Sequence, residues 1–280
     1  TNVGAIGAVG FRVGLEVARV LATGTNWIMV PHSLKLTLKG RLPTGVHARD
    51  LGTYIGQLVK QGKLPFDLDY KILEFAGDLD QLSLAARVAL CSTPTELGAY
   101  GVFFPPSPAV LAHAEKVAQA PFVAAYSDPD AHYQASAELD LISLEPLVSL
   151  PGGVQNAVPI SEVAGRTIHH AFIGSCGSSM YEDMSAAAEV LRGRQVAPGV
   201  RLFVVPGSEQ TTHRLAADGF FHDHRARTDD VDIVAGLAFL DDRLAGPDRL
   251  DPGRGDDIGQ VIGAKPRFED LQQAAQRRDA

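Results

Sequence analysis

The segment Gly174-Ser175-Cys176-Gly177-Ser178-Ser179 places one thiol and three hydroxyls between an apolar run and a helical pattern. Free N–H groups at the start of the following helix favour anions, and flanking glycines let a ligand approach the backbone. A thiol at a helix N-terminus ionises readily, which suits a metal ligand or a nucleophile. A structural cysteine in a tight turn is the alternative. Pro206-Gly207-Ser208 forms a second such junction, where Ser208 offers a hydroxyl. Glu96 lies between Thr95 and Leu97-Gly98-Ala99 in a stretch short of charge. A carboxylate there suits general acid/base work or a metal site, though alone such a residue is more often a helix cap or part of a loop. Cys91 follows an apolar helical run and reads as a core thiol. His169 and His170 are neighbours on a strand, face opposite sides and cannot share a metal. His222-Asp223-His224 has the spacing of a ligand pair but opens a polar stretch, where a solvated loop is expected. Gly4, Gly7 and Gly10 follow no strand and so form no dinucleotide fingerprint.

These residues need elements to hold them. Phe11, Leu15, Ala18 and Leu21 give a helical face closed by Gly24, and Leu34–Leu38 alternates as a half-buried strand. A helix is expected over Ala48–Lys60, a strand over Tyr70–Phe75, and a short helix over Leu82–Leu90. Pro105-Pro106-Ser107-Pro108 breaks the chain before a helix at Ala109–Ala118, and a strand follows near Ala137–Ile142. Glu145–Pro159, with three prolines and the Gly152-Gly153 pair, reads as a linker, so a domain boundary is expected there. Beyond it, strand, loop and helix recur: Thr167–Ile173 then Tyr181–Arg192, and Arg201–Val205 then Glu209–Ala217. Strands alternating with helices imply parallel βαβ units, and open parallel sheets bind ligands at their carboxyl edges.

The 280 residues carry a formal charge of −8 and 45% hydrophobic content. That is the make-up of a globular protein and lacks the basic face of a nucleic-acid binder. No apolar run approaches the ~20 residues of a membrane helix, and no export leader is visible, so a cytoplasmic protein is expected. Two cysteines make neither a disulfide framework nor a self-contained metal site. The last 60 residues differ from the rest: they hold 13 of the 33 acidic and 9 of the 25 basic residues, mostly Asp and Arg. A polar tail over 221–280 is expected, with one helix near Phe268–Arg278; a strand at Asp232–Leu240 fits as well as loop. A departure from the ancestral reading frame near residue 221 would explain the shift equally.

Ile173-Gly174-Ser175-Cys176, with Ser178-Ser179 and Tyr181-Glu182-Asp183-Met184, resembles the cluster-ligand loop of the aconitase and isopropylmalate dehydratase family. Thr1 to Ala8, Leu21 to Pro31, Gly40 to Asp50, Thr95 to Ala99, Asp128 to Tyr133 and Glu138 to Pro146 fit the same family in order. Val196 to Leu202 is most similar to isopropylmalate dehydratase large subunits, enzymes of leucine biosynthesis, and Pro206 to Gln210 is closer to aconitase. The resemblance covers about residues 1–220. It implies an α/β fold, with three-layer α/β/α aconitase-like domains and mixed or parallel sheets. The domains expected are 1–150, 151–220 with the cysteine loop, and the tail 221–280.

The resemblance implies a hydro-lyase that interconverts a hydroxy-di- or tricarboxylate and its unsaturated partner at a 4Fe–4S cluster, whose open iron acts as a Lewis acid. Cys176 matches the first of three cluster cysteines and Glu96 an active-site glutamate. Ser175, Ser178 and Ser208 are the expected substrate-binding residues. A serine base comes from a separate swivelling domain or small subunit, an expected partner. Gly177 and Ser178 stand where the family has Thr-Asn, and Ser92 where it has Asn. An Asp-Ser-His motif would lie before residue 1, and a Cys-x-x-Cys pair is missing after residue 221. The expectation is the middle of a longer enzyme that by itself neither assembles the cluster nor turns over. A cluster-free relative binding carboxylates or a partner, and a scaffold using Cys176 as a nucleophile, are the other readings.

Overall fold

The computed structural model describes residues 2–11, 13–174, 177 and 179–219, and the backbone of 231–233. It divides into two compact units, Thr1–Arg166 and Thr167–Ala280.

The first unit opens with a 3-10 turn, Asn2–Ile6, and α1 (Val17–Thr23), which ends at Gly24 in the left-handed region. The helical face expected from Phe11 onward forms only from Val17, after two poor helix formers, Gly10 and Gly14. No residue of α1 is buried, and Leu15 and Leu21 are exposed. The chain then winds β1 (His32–Lys39), α2 (Ala48–Lys60), β2 (Lys71–Gly77), α3 (Leu84–Glu96), β3 (Gly101–Phe103), α4 (Pro108–Val117) and β4 (Ala135–Asp140). The strands form one parallel sheet in the order β3-β2-β1-β4. From Leu34 onward every second residue of β1 (Leu34, Leu36, Leu38) is fully buried, as its alternation demands. They pack with Leu73 and Phe75 of β2, Leu51 and Ile55 of α2, and Leu90 of α3.

Two glycines on one face of α2 allow close packing. A Cβ on Gly52 would lie 2.8 Å from Thr93 Oγ1 of α3, and one on Gly56 3.4 Å from Gln155 Cα. The second contact belongs to a hairpin, β5 (Leu147–Ser149) and β6 (Ala157–Pro159). The stretch read as a linker therefore folds onto α2 as part of the first unit. Its prolines and glycines mark the hairpin ends and turn instead of a free connection. Asp50 joins the two: one carboxylate oxygen accepts the His47 N–H at 2.8 Å and the other the Leu147 N–H at 2.8 Å. Gln57 Nε2 donates to Ala157 O at 2.9 Å. Asp50→Ala removes a helix-end acceptor and strands the Leu147 N–H, and is expected to destabilise the unit by about 2 kcal/mol. Urea unfolding reads the loss, and faster exchange of the Leu147 amide localises it; an unchanged midpoint would contradict it.

The second unit comprises β7 (His170–Gly174), α5 (Tyr181–Leu191), β8 (Arg201–Val205), α6 (Glu209–Ala217) and β9 (Val231–Ile233). Its sheet is parallel, in the order β7-β8-β9. Met184, Leu202, Val204 and Leu215 form its core. The bounds of β8 and α6 are those the sequence predicts. β9 realises the strand alternative at Asp232 and Ile233, while the predicted helix at Phe268–Arg278 lies outside the described residues. With parallel strands and connecting helices in both units, the fold is α/β.

Candidate functional site

In the second unit the carboxyl edge of the sheet carries two βα loops. Gly174 ends β7 with φ 152, and a Cβ there would sit 2.4 Å from Val205 O, so only glycine lets the two strand ends meet. The loops are joined further on, where Gly207 N–H donates to Ser179 O at 3.0 Å. A Cβ on Gly207 would lie 2.6 Å from Ser179 Oγ. The structure thus brings Ser208 next to the loop that follows β7. Ser175, Cys176 and Ser178 lie outside the described residues; Gly177 and Ser179, on either side of Ser178, are buried. Ser208 is exposed and caps α6, its Oγ accepting the Thr211 N–H at 3.1 Å. Behind this edge, Arg214 of α6 stacks over the Tyr181 ring at 3.4 Å, and the Tyr181 hydroxyl donates to Asp218. The start of α5 is therefore fastened to α6. Of the two neighbouring histidines, His170 stacks on Phe203, with ring centroids 6.2 Å apart, while His169 O accepts the Arg201 N–H. His222 and His224 lie outside the described residues.

Glu96 belongs to the first unit. It is the last residue of α3, longer at its C-terminal end than the helix predicted over Leu82–Leu90. The helix runs past Leu90 because Cys91, Thr93, Pro94 and Thr95 are all buried and keep it packed beyond its proline. In a parallel βαβ unit the helix returns from the carboxyl to the amino edge, so Glu96 stands at the amino edge of β2 and β3. Its side chain is exposed, with no hydrogen-bond or ion-pair partner among the described residues. Ser92 lies one turn back on the same face.

The exit from α3 is tightly held. Leu97 and Ala99 both donate N–H groups to Pro94 O at 3.0 Å. Gly98, at φ 100, packs so closely that a Cβ would lie 3.2 Å from Asp69 Oδ1. Tyr70 N–H donates to Gly98 O at 3.0 Å and Tyr100 N–H to Lys71 O at 2.8 Å. Tyr70, at φ 53, is the one non-glycine residue with a left-handed backbone among the described residues, a conformation that costs about 1–2 kcal/mol. Partial burial, with Tyr70 alongside, pushes the Tyr100 hydroxyl pKa up. The sequence predicts Tyr70 at the start of a strand, whereas β2 begins at Lys71 and Tyr70 forms the left-handed turn before it. A tyrosine gives no composition signal for a left-handed turn.

Cys91 is a core thiol, as expected. It is fully buried, and burial pushes its pKa up to about 12. A Cβ on Gly4 would lie 3.3 Å from its Sγ and 1.9 Å from Val102 O, so the 3-10 turn seals the thiol in. Among the described residues no group of three His, Cys, Asp or Glu side chains could hold a metal ion. No helix among them is long and apolar enough to cross a membrane.

A family model described as "Aconitase family (aconitate hydratase)" matches residues 1–167 and 161–226. Curated relatives include the 3-isopropylmalate dehydratase large subunit 1 of Methanopyrus kandleri, 37% identical over 219 residues, 77% of this chain and 51% of that protein. The homoaconitase large subunit of Thermus thermophilus is 38% identical over 221 residues, 78% of this chain and 51% of that protein. The 3-isopropylmalate dehydratase large subunit of Mycolicibacterium smegmatis is 35% identical over 210 residues, 74% of this chain and 48% of that protein. The chain spans about half the length of the curated relatives it matches.

Proposed function

The chain belongs to the aconitase family, and from that membership we propose that it is part of a cytoplasmic hydro-lyase of the isopropylmalate dehydratase and homoaconitase large-subunit kind. Its substrate class is a hydroxy-di- or tricarboxylate, which the whole enzyme dehydrates and rehydrates. The joined βα loops at the carboxyl edge of β7 and β8 carry this reading. They are where a parallel sheet offers helix N–H groups to carboxylates, and where the segment similar to the family's cluster loop falls. Ser175, Ser178 and Ser208 bind the substrate there. Glu96, exposed and without a partner among the described residues, serves as a general acid/base group beside that of the swivelling domain. A small subunit carrying the swivelling domain is the partner, in keeping with relatives named large subunits.

The family's cluster does not fit the donors of this chain. A cuboidal 4Fe–4S cluster needs three thiolates, and the sequence holds two cysteines. One of these, Cys91, is sealed in the core of the first unit with its thiol held protonated at neutral pH. That leaves Cys176. These 280 residues on their own are therefore expected to be inactive, and this donor set is also the observation that favours a second reading, a cluster-free module that binds carboxylates or a partner. Anaerobic reconstitution with iron and sulfide tests both. The expected result is no stoichiometric 4Fe–4S absorbance from the chain alone, together with millimolar citrate binding by calorimetry that Ser208→Ala weakens. About four irons and four sulfides per chain would overturn the argument from donors, and no binding of citrate, malate or isopropylmalate would overturn the carboxylate site.

A further inference from the structure

We infer that Tyr70 is a positioning residue for Glu96, its left-handed backbone and its ring together clamping the exit of α3. This rests on the acid/base reading of Glu96 proposed above and adds what sets that carboxylate's place. The end of α3 has a weak point: Pro94 has no N–H, so the helix loses the internal hydrogen bond that residue 94 would donate. Beyond Glu96, Leu97 and Ala99 both fall back on the single acceptor Pro94 O. Further support comes from outside the helix.

Tyr70 supplies it in three ways. Its N–H, aimed by the left-handed φ of 53, reaches Gly98 O at 3.0 Å, two residues past Glu96. Its ring lies against Tyr100, with centroids 4.8 Å apart, and Tyr100 in turn stacks on Phe11 at 5.1 Å. Its hydroxyl donates to Met29 O at 3.0 Å. A relaxed, negative φ would turn the N–H away from Gly98 and open the contact between Gly98 and Asp69. The preceding turn is braced to resist this. Asp67 Oδ1 accepts the Asp69 N–H at 2.9 Å and the Lys71 ammonium, and the Lys71 bond holds the Asp67 carboxyl below its usual pKa. Backbone strain of this kind persists only where surrounding contacts over-determine it. Here those contacts converge on the four residues that link Glu96 to β3. Through Phe11 and Met29, the segment ahead of β1 also bears on the placement of Glu96.

The test is NMR on the full chain with labelled glutamate, following the Glu96 side-chain carboxyl and the exchange of amides 97–100. Tyr70→Val, whose branched Cβ rejects the left-handed region, is expected to raise exchange of those amides at least about tenfold and to shift the Glu96 resonance. Glu138, on β4, should stay unchanged. Tyr70→Asn tolerates the backbone but lacks the ring, so it should give a smaller shift, and Tyr70→Phe should restore the Glu96 resonance while freeing only Met29. A folded Tyr70→Val chain with wild-type Glu96 signals would overturn the inference. Should that variant not fold, a Tyr70→Asn spectrum matching wild type at Glu96 would do the same. Citrate titration of the wild-type chain separates the two ideas. A Glu96 resonance blind to citrate defeats the acid/base reading and leaves the clamp standing.

Discussion

In the folded chain Cys91 is expected to resist iodoacetamide at pH 8 by a factor of about 1,000 relative to a free thiol, because the thiolate is the reacting species. With the pKa raised from 9.0 to about 12, the thiolate fraction at pH 8 falls from about one in ten to about one in ten thousand. Steric closure by Gly4 and Val102 adds to that protection. Mass spectrometry of tryptic peptides after timed labelling reads the result: the Cys91 peptide stays unmodified in buffer and reacts fully in urea. Rapid native labelling would mean that the 3-10 turn does not cover the thiol. The same shift sets a pH dependence. The folded state holds the Cys91 proton more tightly than the unfolded chain, so its contribution to stability is intact below pH 9. It is lost as pH rises from about 9 to about 12, by about 4 kcal/mol if no other group intervenes. Cys91→Ala should flatten that part of the profile.

The second large effect is structural. Leu36 sits fully buried in β1, with β2 on one side and β4 on the other. Leu36→Ala should cost about 3–5 kcal/mol, the transfer of the lost methyl groups plus the cavity left behind. Its neighbour Lys35 points to the other face, where its ammonium lies 5.0 Å from the centre of the Tyr133 ring. Lys35→Ala should therefore cost no more than about 1 kcal/mol. Equilibrium urea unfolding of both variants measures the contrast. Equal losses would mean that the register of β1 is wrong.

That contrast shows what was legible in the sequence. Strict alternation in Leu34–Leu38 and the apolar stripe of α2 are local signals, and local physics decides both elements. The extent of α3 was not legible, because its last turns run through Ser92-Thr93-Pro94, a local stop that burial of Cys91 and Thr95 overrides. The hairpin at 147–159 was read as a linker because Pro and Gly look alike in tight turns and in free connections. What distinguishes them is Asp50, some hundred residues away. Arg87 gave no warning either. It is 1% exposed, sits over Phe104, and donates to Leu79 O, Leu82 O and Pro105 O, three acceptors that only the folded chain brings together. At the candidate site, the loop after β7 and Ser208 stand at a βα edge as expected from strand–helix alternation. Glu96 stood out as a lone carboxylate in a stretch short of charge and again through family resemblance, and nothing local announced the left-handed Tyr70 that clamps its helix exit.

The hairpin seated on α2 also orders events during synthesis. Asp50 meets Leu147 across 97 residues, and Gln57 meets Ala157 across 100. The middle strand β1 must likewise wait for β4 to pair on its far side. One edge of β1 stays uncovered until β4 (to residue 140) has left the ribosome and one flank of α2 until residue 157 has, and closing loops of that length slows folding. The first unit therefore matures only when its closing hairpin is out, and its open strand edge is exposed to wrong pairing until β4 arrives.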